Sequence, residues 1–131
     1  MEPKKILLAE DDPDDCTFFL DCVKERDDLS IIATVEDGEK VFRFLDKITT
    51  QVEYPDLIIL DQNMPRKNGY QTLETLKLTK RYQHIPVVIY STHIDDLLKL
   101  KSLSMGAVLV MHKPSSPNEY HAMLTSILES I

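Results

Sequence analysis

Four segments of this 131-residue chain put acids, a hydroxyl or a lysine directly after apolar runs. Glu10-Asp11-Asp12 follows Ile6-Leu7-Leu8-Ala9, and Asp61-Gln62-Asn63-Met64-Pro65 follows Leu57-Ile58-Ile59-Leu60. Ser91-Thr92-His93 follows Pro86-Val87-Val88-Ile89-Tyr90, and His112-Lys113-Pro114 follows Ala107 to Met111. If the apolar runs are parallel strands, these segments meet outside the strands' carboxyl ends, where open α/β sheets bind ligands. Glu10, Asp11 and Asp61 would repel one another there unless a cation sat between them. Hard oxygen ligands, few from protein and the rest from water, suit Mg²⁺ or Mn²⁺. Asp61 is then both a metal ligand and a candidate nucleophile toward a phosphoryl group. The loose transition state of that transfer needs its equatorial oxygens neutralised. A metal, the Lys113 ammonium, and the Ser91 hydroxyl with backbone N–H groups cover all of them. No organic cofactor or general-base histidine is required.

Each residue also has a plainer reading. A lone Asp after a strand is usually a turn former or helix cap, and Ser91 alone is uninformative. Asp61 stands out because Asn-Met-Pro follows it and because it is in register with three other strand ends. Asp12 reads as the N-cap of a helix with Pro13 at its first position. Asp14 and Asp15 complement that helix's positive end. Cys16 and Cys22 read as packing. The histidines are scattered without an H-x-x-x-H pair, which argues against a zinc site. A calcium loop over Asp11 to Asp15 fails, because position six is Cys16 instead of Gly and position twelve is Cys22 instead of Glu.

The elements that must hold these residues are legible from the period of the apolar positions. Short continuous runs at Ile6 to Ala9, Leu57 to Leu60, Pro86 to Tyr90 and Ala107 to Met111 are strands covered on both faces. Ser30 to Val35 is another strand. Between them lie helical stripes: Cys16, Phe19, Leu20 and Val23; Val41, Phe44, Leu45 and Ile48; a weaker stretch from Tyr70 to about Arg81; a leucine-rich one from Ile94 to Leu103; and Tyr120, Met123, Leu124, Ile127 and Ile131. Thr49 to Pro55 reads as the longest surface loop. Strand–helix alternation with short connections predicts an open, doubly wound parallel sheet of α/β class with right-handed crossovers.

Composition sets outer limits. Hydrophobic residues make up 43% and charged residues 28% of the chain, as in a globular domain. The length suits one domain, 1–131, with no output domain expected. No apolar run approaches the ~20 residues that cross a bilayer, so no membrane role is expected. The start Met-Glu-Pro-Lys-Lys, with Glu10 soon after, does not read as a secretory signal. A net charge of −7 disfavours nucleic-acid phosphates. Two cysteines without paired spacing fit a reducing compartment, so the expected location is cytoplasmic.

Together these motifs resemble the receiver domain of two-component response regulators over residues 4 to 131. The residues that carry the resemblance are Ile6 to Asp12, Leu60 to Pro65 with Gly69, Tyr90-Ser91-Thr92, Gly106-Ala107 and Lys113-Pro114. The resemblance implies a flavodoxin-like (βα)5 fold with strand order 2-1-3-4-5. It implies that Asp61 is the phospho-acceptor and that Asp11 ligates Mg²⁺ (or Mn²⁺) directly. Glu10 would act through a metal-bound water, and Asn63 through its backbone carbonyl. Ser91, with Thr92 beside it, would supply the switch hydroxyl. Lys113 would pair with the phosphoryl group and precede a cis peptide to Pro114. Asn63 and His93 would tune phosphoryl lifetime. The implied partners are a histidine kinase or hybrid kinase and a histidine phosphotransfer protein, with a homodimer through residues 94–131.

Two departures stand out. The aromatic usual three residues before the lysine is Val110 here, and the segment between Asp46 and Asp56 is longer than in the shortest receivers. In the second respect the chain is similar to single-domain receivers that serve phytochrome-type kinases. Two rival readings remain. A haloacid-dehalogenase-type aspartyl-phosphate phosphatase would need an acid two residues after the nucleophile, where this chain has Asn63. A pseudo-receiver without chemistry would not need Asp11, Asp61, Ser91 and Lys113 together.

Overall fold

The computed structural model describes residues 2–131. Its sheet has the order β2-β1-β3-β4-β5, with every strand pair parallel. The strands are β1 (Lys4–Ala9), β2 (Leu29–Val35), β3 (Leu57–Asp61), β4 (Val87–Ser91) and β5 (Leu109–His112). Each central strand serves two cores because side chains alternate along it. Leu7, Ala9, Ile58, Leu60, Val87 and Ile89 face one layer, and Ile6, Leu8, Leu57, Ile59, Val88 and Tyr90 face the other. This double coverage is why these strands read as unbroken apolar runs instead of alternating ones.

The helices are α1 (Pro13–Lys24), α2 (Gly38–Asp46), α3 (Gly69–Leu78), α4 (Asp96–Ser104) and α5 (Pro117–Ser130). Phe19, Cys22 and Val23 of α1 and Tyr120, Met123, Leu124 and Ile127 of α5 fill one layer. Val41 and Leu45 of α2 and Leu73 and Leu76 of α3 fill the other. Each start carries its own cap. Asp12 accepts from the N–H of Asp14 and Asp15, Asn68 and Gln71 form a reciprocal capping box, and Asp95 and Ser116 cap α4 and α5.

Several boundaries differ from the sequence expectation, each for a local reason. Helix α3 stops at Leu78 because Thr79 is extended, and Lys77 Nζ caps the following turn through the carbonyls of Gln83 and Ile85 at 3.1 and 2.9 Å. Helix α4 starts at Asp96, where the Asp95 carboxylate takes the Leu98 N–H at 2.7 Å. In α1 the buried stripe runs through Phe19, Cys22 and Val23, with Leu20 only partly covered. The Thr49 to Pro55 loop contains a 3₁₀ turn, Gln51–Glu53. Among the described residues no helix is long and apolar enough to cross a membrane.

The connection from β3 to α3 is fastened to the start of α2. A γ-turn hydrogen bond joins Lys67 N–H to the Pro65 carbonyl at 2.6 Å, with Arg66 at φ 64. Arg66 Nε meets the buried Asp37 carboxylate at 2.8 Å, and that carboxylate also takes the Lys40 N–H at 2.9 Å as the cap of α2. Burial would raise the Asp37 carboxyl, but the Lys40 N–H and the Arg66 guanidinium outweigh it and hold it below its ordinary value. Gly38 N–H donates to the Lys67 carbonyl at 3.1 Å. A Cβ at Gly38 would stand 2.0 Å from Thr72 Oγ1 and 2.7 Å from the Lys67 carbonyl oxygen, so this approach requires glycine.

Candidate functional site

The strands end in register. Ala9 lies beside Leu60, Asp61 beside Tyr90, and Ser91 beside His112. The chain crosses from β1 outward to β2 and then back to β3 on the other side of β1, so the β1–β3 edge is the topological switch point. Glu10 follows β1 and Asp61 ends β3 there.

Glu10, Asp11 and Asp61 each place a carboxylate oxygen within 4.8 Å of the others. Glu10 and Asp61 are 3% and 2% exposed, while Asp11 faces solvent. Burial, followed by the Glu10 hydrogen bond and charge, pushes the Asp61 carboxyl up to about 8, against the lowering pull of Lys113 and the Asn63 N–H. An all-oxygen set, half buried and crowded with like charge, fits a hard divalent cation such as Mg²⁺ or Mn²⁺. Asp61 Oδ1 also accepts the Asn63 N–H at 3.2 Å, which fixes the turn after the strand.

Lys113 is the only ammonium at this cluster among the described residues. Its Nζ lies 2.9 Å from Asp15 Oδ2, 3.0 Å from Glu10 Oε1 and 3.3 Å from Asp61 Oδ2, with a side chain 8% exposed. Burial would lower its pKa, but the bonds to Asp15 and Glu10 and the charges of Asp61 and Glu10 raise it instead, so it stays protonated. Tyr90 forms the floor. Its hydroxyl donates to Glu10 Oε1, its ring lies 5.2 Å from Lys113 Nζ, and it forms a T-shaped pair with Phe19, the centroids 5.9 Å apart. Glu10 Oε2 takes the Asp12 N–H at 3.1 Å. Both Glu10 oxygens therefore have fixed donors.

Ser91 is fully buried at the end of β4, and its Oγ accepts the His93 N–H at 3.3 Å. Thr92 and His93 are exposed. Asn63 and His93 line one shallow hollow of about 240 Å³ with Gln62, Asp95, Leu98 and Lys101. The structure corrects the expectation at Pro114. It holds no cis peptide bond among the described residues, so Lys113–Pro114 is trans. Trans is the ordinary preference of an X–Pro bond, and the chain runs directly on to Ser116, which caps α5 with Pro117 at its first position.

Sequence reasoning found the residues that meet here but missed two that hold them. Tyr90 enters the sequence reading as the end of an apolar run and within Tyr90-Ser91-Thr92, with no role of its own, and Asp15 only as helix-end charge. No motif marks either as a partner of Glu10 or Lys113. The strand alternation that turns Tyr90 toward the Glu10 side was the one available signal, and Asp15 reaches Lys113 across 98 positions of sequence.

The model of the response regulator receiver domain matches residues 6–125. The alkaline phosphatase synthesis transcriptional regulatory protein PhoP of Bacillus subtilis is 31% identical over 125 residues, covering 95% of this chain and 48% of PhoP, so the chain spans about half the length of that relative. Among solved structures, the phosphorylated cyanobacterial phytochrome response regulator RcpA superposes with a TM-score of 0.82 at 27% identity, over 97% of this chain and 92% of that one. The Mn²⁺-bound form of response regulator Rcp1 superposes with a TM-score of 0.80 at 27% identity, over 95% and 91%.

Proposed function

This chain belongs to the response regulator receiver domain family, and from that premise we propose that it accepts a phosphoryl group on Asp61 from the phosphohistidine of a histidine kinase or hybrid kinase. The observation that carries this reading is the Asp61 carboxylate itself, buried, within 4.8 Å of the Glu10 and Asp11 carboxylates and 3.3 Å from Lys113 Nζ. In the transfer an Asp61 oxygen forms the new P–O bond. The donor's P–N bond breaks, and its electron pair stays on the imidazole nitrogen. Mg²⁺ or Mn²⁺, when bound, neutralises phosphoryl oxygens and draws the acidic cluster together. Asp11 and Asp61 would hold the ion directly, Glu10 through a water, and Asn63 through its carbonyl. Lys113 offers its charge to one phosphoryl oxygen, and Ser91, with Thr92 following, offers a hydroxyl and N–H to another. Asn63 and His93, sharing one hollow, set the access of water to the acyl phosphate and so its lifetime.

The signal would leave as phosphorylation-dependent binding, either to a partner or to a histidine phosphotransfer protein that takes the phosphoryl group onward. A homodimer through residues 94–131 is favoured by one observation: Leu97, Leu100 and Leu103 of α4 are 68%, 66% and 41% exposed, too many for a single stray surface leucine. Asn63, which cannot transfer a proton as an acid would, argues against a phosphatase of the haloacid dehalogenase type.

Incubation with Mg²⁺ and acetyl phosphate, followed by intact mass measurement, tests the reading. The expected result is a gain of one phosphoryl group, labile to base and lost in Asp61→Asn. An unchanged mass overturns it and favours a pseudo-receiver, and a gain that persists in the variant overturns it by placing the acceptor elsewhere.

A further inference from the structure

We propose that Asp15 is a positioning residue for phosphoryl acceptance, acting through Lys113. The inference rests on the function proposed above and extends it to a residue outside the metal cluster. A lysine ammonium has three N–H donors and no acceptor. In this structure Nζ has three carboxylates around it: Asp15 Oδ2 at 2.9 Å, Glu10 Oε1 at 3.0 Å and Asp61 Oδ2 at 3.3 Å. Asp15 and Glu10 hold the two shorter contacts, one from the first turn of α1 and one from the end of β1. The remaining donor is thereby aimed at Asp61, whose contact is the longest.

Chemistry then releases only that third donor. Once an Asp61 oxygen is bonded to phosphorus, the carboxyl no longer carries the charge that drew Lys113, and the new phosphoryl oxygens do. The ammonium can turn to them while Asp15 and Glu10 still grip it. Without Asp15, Glu10 would be the one short carboxylate contact left to fix a flexible four-carbon stem above the Tyr90 ring, and Glu10 also serves Tyr90 and the Asp12 N–H. Misplacing a charge-neutralising group by about an ångström costs up to ~100-fold in rate. Asp15 is well placed for this role: it is partly sheltered, at 28% side-chain exposure, and its own N–H donates to the Asp12 cap at the start of α1.

The test compares wild type, Asp15→Ala and Asp15→Asn. The Asn variant keeps an acceptor oxygen but not the charge. Two quantities are read: the ¹⁵N resonance of the Lys113 ammonium in the unphosphorylated protein, and the rate of mass gain with phosphoramidate and Mg²⁺. Asp15→Ala should lose the slowly exchanging ammonium signal and accept phosphate about tenfold more slowly. Asp15→Asn should recover both. A wild-type rate in Asp15→Ala, whatever its melting temperature, overturns the proposal and leaves Asp15 a strap between α1 and β5. An Asn variant as slow as the Ala variant also overturns it, because charge and not aim would be responsible. A wild-type protein that takes no phosphate at all, with its Lys113 signal intact, overturns the function on which the inference rests.

Discussion

The Tyr90 hydroxyl donates to Glu10 Oε1 across 80 positions of sequence, joining the floor of the apolar core to the wall of the acidic cluster. Burial, with the Glu10 charge next, raises the phenol's pKa far above its ordinary value, so it stays a donor. Tyr90→Phe removes a hydrogen bond to a buried charged group, which is worth about 1.5–3 kcal/mol. Urea unfolding at neutral pH should show that loss. A variant as stable as wild type would mean that Glu10 finds another donor.

The pH dependence of the metal-free protein should carry the mark of Asp61. Its carboxyl titrates at about 8 in the folded chain and near 3.8 when unfolded. Between those values the native state binds more protons than the unfolded one, so this contribution is fully present below about pH 4 and is lost as pH rises through about 8. Removing the buried charge by Asp61→Asn should flatten that decline and raise the melting temperature above pH 7. Mg²⁺ should also bind more tightly as pH rises from 6 to 8, with proton release visible by calorimetry in buffers of different ionisation enthalpy. Release of no proton would mean that Asp61 is already ionised.

Mg²⁺ should raise the melting temperature by binding the folded state, a gain of about 2.7 kcal/mol at a concentration a hundredfold above Kd. Asp11→Ala should remove that shift while leaving the apo melting temperature close to wild type, since Asp11 is exposed. Differential scanning fluorimetry across a Mg²⁺ titration measures both. A shift that survives in the variant would place the ion away from Asp11.

The exposed leucines of α4 should make self-association depend on phosphorylation. Sedimentation velocity with beryllofluoride should show dimers at micromolar concentration and fewer without it, and Leu100→Glu should abolish the difference. Monomer in both states would remove residues 94–131 from the list of dimer surfaces.

Much of this architecture was visible in the sequence because the central strands are covered twice. Runs such as Leu57 to Leu60 have no polar position, and a parallel sheet between two helical layers makes that pattern. The acid, hydroxyl and lysine positions followed, since strand ends converge by topology. What stayed hidden depends on three-dimensional reach. Asp15 and Lys113 meet because α1 packs against α5, the helix that follows Lys113, and Asp37 and Arg66 because a γ-turn swings Arg66 toward α2. The trans bond before Pro114 was missed because it was carried over by resemblance, while the local chain imposes no departure from the ordinary preference. The ends of α3 and α4 were set by Thr79 and Asp95, residues whose capping roles leave no periodic trace.

The packing of Gly38 and Gly69 bears on how this sequence could drift or be redesigned. A side chain at position 69 would stand 2.7 Å from the Asp61 carbonyl oxygen, and one at 38 would stand inside Thr72 and the Lys67 backbone. In both cases main chain is among the obstacles, the Lys67 carbonyl oxygen at 38 and the Asp61 carbonyl oxygen at 69, and no rotamer change can clear it. A library randomised at these two positions and selected for folded protein should return glycine at both, even in a background where Asp61 is already Asn. Their invariance would thus report on the architecture of the loop that follows β3, and not on any chemistry at Asp61.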